Sequence, residues 1–202
     1  MTDEYALFPL PLVAFPHCRL PLQIFEPRYL DLVKSSLSEE RAFGIVTTVP
    51  PAGDAVPGQA EINPVGTLVR IVDFNEQPNG LLGIVCEGQQ KFTALETYTA
   101  PSQLMIASVE LAEPEPLLAV PDELAELVHV LQSLLEHPYV VNLGYQSLGE
   151  SQWLEDASRL SFYLSYLLPF PNPQRYQLLT HSDAFERLAT IQALLDNMDG
   201  SA

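Results

Sequence analysis

Lysine is almost missing from this chain of 202 residues, which has only Lys34 and Lys91. Basic residues number 9 against 26 acidic ones, leaving a formal net charge of -17. Nucleic acid is held largely through phosphate neutralisation by Lys and Arg, so the charge opposes that class of partner, RNA included, and disfavours docking on an anionic membrane. Cysteine is also scarce: Cys18 and Cys86 make no disulfide framework and are expected as reduced thiols of a cytoplasmic protein. No stretch reaches the roughly eighteen uninterrupted apolar residues of a membrane span. The start, Met1-Thr2-Asp3-Glu4, has no basic residue, and Pro9 and Pro11 cut the apolar run Leu7–Phe15, so no signal peptide is expected.

Most catalytic signatures are missing too. There is no GxxxxGK[ST] phosphate loop and no GxGxxG between a strand and a helix. Ser35 and Ser36 adjoin Lys34 on the polar end of a predicted helix, where an exposed lysine is a poor base. The pair His17-Cys18 offers the one enzymatic alternative, a small cysteine-dependent hydrolase. Neighbours in an extended segment point to opposite faces, however, and a thiolate needs its imidazole beside it. Cys86 alternates with Ile84 and is expected to pack in a strand. His17, His129, His137 and His181 show no tight metal-ligand spacing, so neither a metal nor a cofactor is expected. The carboxylate pairs Glu39-Glu40 and Glu155-Asp156 read as solvated surface rather than a catalytic dyad.

What the chain has is apolar residues (47%) and eighteen prolines that punctuate it. The first half is β-rich. Tyr5–Leu12 and Leu20–Phe25 are Pro-bounded segments suited to edge strands or strand ends, where a missing N–H is tolerated. Glu26 near a cap and Pro27 in the first turn open a helix with Tyr29, Leu30, Leu32, Val33 and Leu37 on its apolar stripe. Ala42–Val49 returns to a strand, and the Pro- and Gly-rich residues 50–64 form a long loop. Val65–Phe74 and Leu81–Leu95 flank Asn79-Gly80, a hairpin signal, with bulges expected at Gly83 and Gly88. Leu104–Leu111 completes the strands. The aromatics Phe8, Phe15, Phe25, Tyr29, Phe43, Phe74 and Phe92 all fall in this half, enough to fill a core and leave an apolar patch for a protein partner.

Beyond the connector at 112–121 the period turns helical. Leu124, Leu127, Val128, Leu131, Leu134 and Leu135 mark one helix ending at His137-Pro138. A second, capped by Ser151, carries Leu154, Ala157, Leu160, Leu164, Leu167 and Leu168. A short helix over 174–179 follows, then a last one from Asp183, which has capping-box spacing to Glu186. The expected division is a β-rich lobe over 1–111 and a helical lobe over 112–202.

The run LFPLPLVAFPHCRLPLQIFEPRYLDLV (7–33) resembles the start of the substrate-binding domain that begins Lon-type proteases. The likeness continues through Phe43-Gly44-Ile45-Val46, VGTLVRIVDF (65–74), Asn79-Gly80 and GIVCEGQQKF (83–92), in order over about 110 residues. The resemblance implies an α+β protein: a PUA-like N-terminal β-barrel lobe followed by a C-terminal helical bundle. It implies a non-catalytic module that binds unfolded or specific polypeptides, in partnership with a separate protease or chaperone. The expectation is of a stand-alone member, because the ATPase and Ser–Lys peptidase parts do not appear before Ala202. His17-Cys18 stands at a turn where the family more often has Gly with an apolar residue. For the polypeptide-binding site the expected residues are Phe25, Glu26, Arg28 and Tyr29 at the strand-to-helix corner, together with Phe74.

Overall fold

Alternating hydrophobicity in the first half and helical spacing in the second give two compact units, Met1–Ala112 and Glu113–Ala202. The computed structural model describes residues 3–49, 61–145 and 156–199. The first unit contains strands β1 (Asp3–Leu10), β2 (Arg19–Ile24), β3 (Phe43–Thr48), β4 (Ile62–Glu76), β5 (Leu82–Thr99) and β6 (Met105–Leu111), with helix α1 (Pro27–Glu39) between β2 and β3. The sheet order is β2-β5-β4-β3-β1-β6, and β5 pairs with β6 as well. Only β1 and β3 run parallel, which they can do because β2 and α1 form the crossover between them.

Tyr5–Leu12 was expected at an edge or with its prolines at a strand end; β1 has neighbours on both sides, and Pro9 lies near its end. Its prolines are accommodated because β6 pairs with β1 only through Leu7, so Pro9 lies beyond the point where a second ladder needs its N–H. Ile62-Asn63-Pro64, expected as loop, opens β4, with Ile62 opposite Thr48. Residues 50–60 of that expected loop lie outside the described residues.

β5 has three partners because it is long and bent. Its first part lies between β2 and β4, and its last part pairs with β6. The register with β4 slips at Gln89, beside Gly88, where a bulge was expected. No slip occurs at Gly83, which stays opposite both Asn75 and Gln23. Two further bulges fall at Val72 and Leu95, and both residues are exposed. Their exposure follows from the extra residue that each bulge inserts, which breaks the in-out alternation. Leu7, Val46, Leu68, Phe92, Ala107 and Val109 form the sheet's core.

Helix α1 buries Tyr29, Leu32, Val33 and Ser36, the i, i+3, i+4, i+7 face. Leu30 and Leu37, expected on that stripe, are partly exposed instead. Glu26 is the N-cap and Pro27 the first helical residue, and Glu40 ends the helix in the left-handed conformation.

In the second unit a 3-10 turn (Asp122–Leu124) leads into α2 (Ala125–Leu135), followed by α3 (Pro138–Asn142), α4 (Ala157–Leu167), α5 (Asn172–Thr180) and α6 (Ala184–Asp199). Helix α4 is the most buried and packs against α2, α5 and α6. Ser151 and Leu154 lie outside the described residues, and the N-cap of α4 is Asp156, which accepts from the Ser158 N–H at 3.2 Å. Asp156 is therefore a buried cap rather than solvated surface. Asp183 caps α6 as expected, accepting from the Phe185 and Glu186 N–H groups.

The helical unit has a charged core. Arg187 of α6 is 0% exposed and donates through Nη1 and Nη2 to both carboxylate oxygens of Glu115. Its Nε donates to Ser161 Oγ, its Nη1 also to the His181 carbonyl, and its guanidinium lies 3.9 Å over the Phe162 ring. Ser158 Oγ adds a bond to Glu115 at 2.6 Å. Every nitrogen of the cation is thereby engaged, the condition under which a buried ion pair is tolerated.

Candidate functional site

The strand-to-helix corner at residues 25–29 opens onto a groove of about 340 Å³ in the first unit. β2 brings Ile24 to the groove and the first turn of α1 brings Arg28 and Tyr29, while β1 contributes Phe8 to Pro11 and the start of β6 Met105. Tyr29 is buried because its ring stacks on Phe8, with centroids 3.9 Å apart, and Phe8 in turn leans on Phe43. Phe25, by contrast, is 67% exposed between buried Ile24 and the helix cap. Its ring is open to solvent and lines the groove.

Arg28 is tied down on three sides. Its Nε and Nη2 reach Glu26 Oε2 at 2.9 and 2.8 Å, its Nη1 donates to the Gln103 carbonyl at 3.2 Å, and its guanidinium sits 4.7 Å from the Tyr29 ring centroid. Burial raises the Tyr29 phenol above its ordinary pKa; Arg28 opposes that rise and Glu26 adds to it.

Of the five residues expected at a binding site, four (Phe25, Glu26, Arg28 and Tyr29) line this groove. Phe74 does not. It is 59% exposed and borders a separate hollow with Asn75, Glu76 and the β4–β5 turn. Gln103, Thr99 and Met105 were missed, because their place in the groove depends on β6 pairing with β1 and β5. One local signal for Gln103 was available: Ala100-Pro101-Ser102-Gln103 is a turn pattern, and Gln103 adopts φ 64°.

The groove's floor depends on how the segment between β1 and β2 is pinned. Thr47 Oγ1 donates to the Leu12 carbonyl at 2.8 Å and buried Thr67 Oγ1 to the Ala14 carbonyl at 2.7 Å. The His17 N–H donates to the Gly88 carbonyl, and the Gly88 N–H to the Cys18 carbonyl. A Cβ at Gly88 would overlap the Phe15 carbonyl oxygen, and one at Gly66 would come 2.5 Å from the Ile45 carbonyl oxygen. Gly66 and Gly88 are therefore required by close backbone approach, and Thr67 and the Gly88 N–H by the carbonyls they satisfy. Cys18 is 2% exposed, beyond the reach of a substrate carbonyl. Burial pushes the Cys86 thiol up to about 12, away from a reactive thiolate. Among the described residues no group of three or more His, Cys, Asp or Glu is placed to hold a metal ion. No described helix is long and apolar enough to cross a membrane.

The six-stranded mixed sheet with its helical continuation is a mixed α+β arrangement, the fold class of the solved domains it resembles. The chain belongs to the family described as the ATP-dependent protease La (LON) substrate-binding domain, matched over residues 4–197. It is similar to the crystal structure of a Lon N-terminal domain protein from Xanthomonas campestris, with 27% identity, a TM-score of 0.74, and 95% of this chain and 98% of that one covered. The N-terminal domain of a Mycobacterium avium complex Lon protease shares the fold at 19% identity and a TM-score of 0.59, over 94% and 96% of the two chains. A Lon protease of Azospirillum brasilense is 23% identical over 96% of this chain. The chain spans about a quarter of the length of the Lon proteases it matches, 24% for that relative.

Proposed function

We propose that this chain is a non-catalytic polypeptide-binding module of the cytoplasm, presenting unfolded or specific proteins to a separate protease or chaperone. Family membership supports the substrate-recognition part of this reading. The pairing of β5 with β6 as well as β4 supports reading the first unit as a small PUA-like barrel, and the packing of α4 against three helices supports a helical bundle in the second. The observation that carries the functional reading is the groove at the start of α1, where Phe25 stands exposed beside the fixed pair Glu26–Arg28.

The apolar walls of the groove would hold a side chain of a partner that has lost its own core, and the paired polar groups at the rim would orient the chain that carries it. A folded protein hides such side chains, so preference for unfolded chains follows from the site's chemistry. The test is fluorescence anisotropy with a labelled, permanently unfolded reporter protein against wild type, Phe25→Ala and Arg28→Glu. Binding by wild type and at least tenfold weaker binding by Phe25→Ala, with unchanged thermal stability, is the expected result. Absence of binding by the wild-type protein would remove the recognition role.

A further inference from the structure

Both strand edges that border the groove are blocked by proline. Among the described residues β2 pairs with β5 alone, and Pro21 sits in the middle of it opposite Val85. A proline fits a ladder only where its missing N–H faces away from the paired neighbour, so Pro21 interrupts the outer edge of β2. β1 continues past its β6 partner with Pro9, and Pro11 follows directly after its end, again without N–H donors. An extended partner therefore cannot add to either edge as a regular strand, and recognition falls to side chains.

The side-chain chemistry of the groove has a sign. Each nitrogen of the Arg28 guanidinium already has an acceptor, Glu26 Oε2 for Nε and Nη2 and the Gln103 carbonyl for Nη1. Both contacts to Glu26 fall on Oε2, and Oε1 has no hydrogen-bond partner among the described residues. The pair thus faces outward as an acceptor, next to the exposed Phe25 ring. The surrounding unit reinforces this: thirteen acidic against six basic residues leave Met1–Ala112 at -7.

We propose that the groove selects polypeptide segments in which a lysine or arginine adjoins an aromatic residue, the aromatic ring packing on Phe25 and the cation meeting Glu26 Oε1. This inference rests on the polypeptide-binding reading above and names its substrate class.

The test is anisotropy at low salt with four labelled peptides of equal length, carrying Lys-Phe, Gln-Phe, Glu-Phe or Lys-Ala at the centre, against wild type, Glu26→Gln and Glu110→Gln. Glu110 is exposed on β6 and outside the groove, so its variant controls for net charge alone. An exposed ion pair predicts that wild type prefers Lys-Phe over Gln-Phe by about three- to fivefold. That preference should vanish in Glu26→Gln and persist in Glu110→Gln, with Glu-Phe and Lys-Ala both weaker than Lys-Phe. Equal binding of Lys-Phe and Gln-Phe would overturn the charge selection while leaving polypeptide binding intact. Lys-Ala binding as tightly as Lys-Phe, or equal loss of preference in both variants, would reveal attraction to the acidic surface at large and overturn the site. Failure of all four peptides to bind, together with the unfolded reporter, would remove the underlying reading as well.

Discussion

Gly80 and Gln103 occupy the same position in two turns of the same construction. In Gln77-Pro78-Asn79-Gly80-Leu81 the Gly80 N–H bonds the Gln77 carbonyl and the Gln77 N–H bonds the Leu81 carbonyl; Ala100-Pro101-Ser102-Gln103-Leu104 repeats both bonds. Gly80 has φ 77° and Gln103 φ 64°, so the second turn places a side chain where the first uses glycine. The hairpin signal at Asn79-Gly80 was correctly located, but only Gly80 of the two has positive φ, and the turn centres on Pro78-Asn79. Gln103→Gly should relieve left-handed strain and raise stability by about 1 kcal/mol, while Gly80→Val should lower it by a similar amount. Urea denaturation of the two variants measures both, and a fall in stability for Gln103→Gly would show that its side chain holds the turn. Arg28 keeps its contact in the first variant, because the acceptor is the backbone carbonyl.

Gly88→Ala should be at least as damaging as Gly80→Val, because the Gly80 position is open whereas the Gly88 position is filled by backbone. Its Cβ would strike the backbone of Phe15 and Pro16, which cannot swing aside as a side chain would. A loss of about 1–3 kcal/mol is expected from overpacking of this kind. Thr67→Val, which leaves the Ala14 carbonyl without its donor, should cost about 1–2 kcal/mol. Chemical denaturation of both variants, with wild-type stability for Gly88→Ala as the failing result, checks the pinning of this segment.

Removing only the cation from the helical unit should be severe. Arg187→Met strands the Glu115 carboxylate in a buried site and is expected to cost about 3–5 kcal/mol. The double variant Arg187→Met/Glu115→Leu should recover most of that loss, since no charge is then left unpaired. Calorimetric melts of the single and double variants decide it; a double variant as unstable as the single one would point to the serine network rather than the charge pair.

Alkaline pH should destabilise the first unit through Cys86. Burial raises the folded thiol from 9.0 to about 12, so the fold favours the protonated form. That contribution is fully present below the unfolded thiol's pKa and is lost as pH rises through the window from about 9 to about 12. Tyr29, also raised by burial, adds a loss in the same direction above its ordinary pKa of 10.0. Urea midpoints at intervals from pH 7 upward should fall across this range in wild type and fall less steeply in Cys86→Ala. Parallel slopes for the two proteins would exclude the thiol as the cause.

Much of the candidate groove's corner was legible because it is local. Phe25 to Tyr29 are consecutive, Pro27 can begin a helix but not continue one, and the stripe that starts at Tyr29 places the helix axis. Which hollow Phe74 borders was not legible, because it depends on a β4–β5 register altered by the bulge at Val72. The Glu115–Arg187 pair was invisible for a plainer reason, since the two residues are 72 positions apart and neither stands in a motif.

The sequence by itself determined most of the segments that became strands and helices, where prolines end or begin them, and the chain's strong negative charge, since these follow from periodicity, backbone chemistry and composition. The tertiary structure alone decided that β1 lies between β3 and β6, that Gln103 reaches Arg28, and that Gly88 supports the backbone of Phe15. Each of these joins residues distant in the chain, where register, bulges and close approach, rather than local propensity, choose the partner.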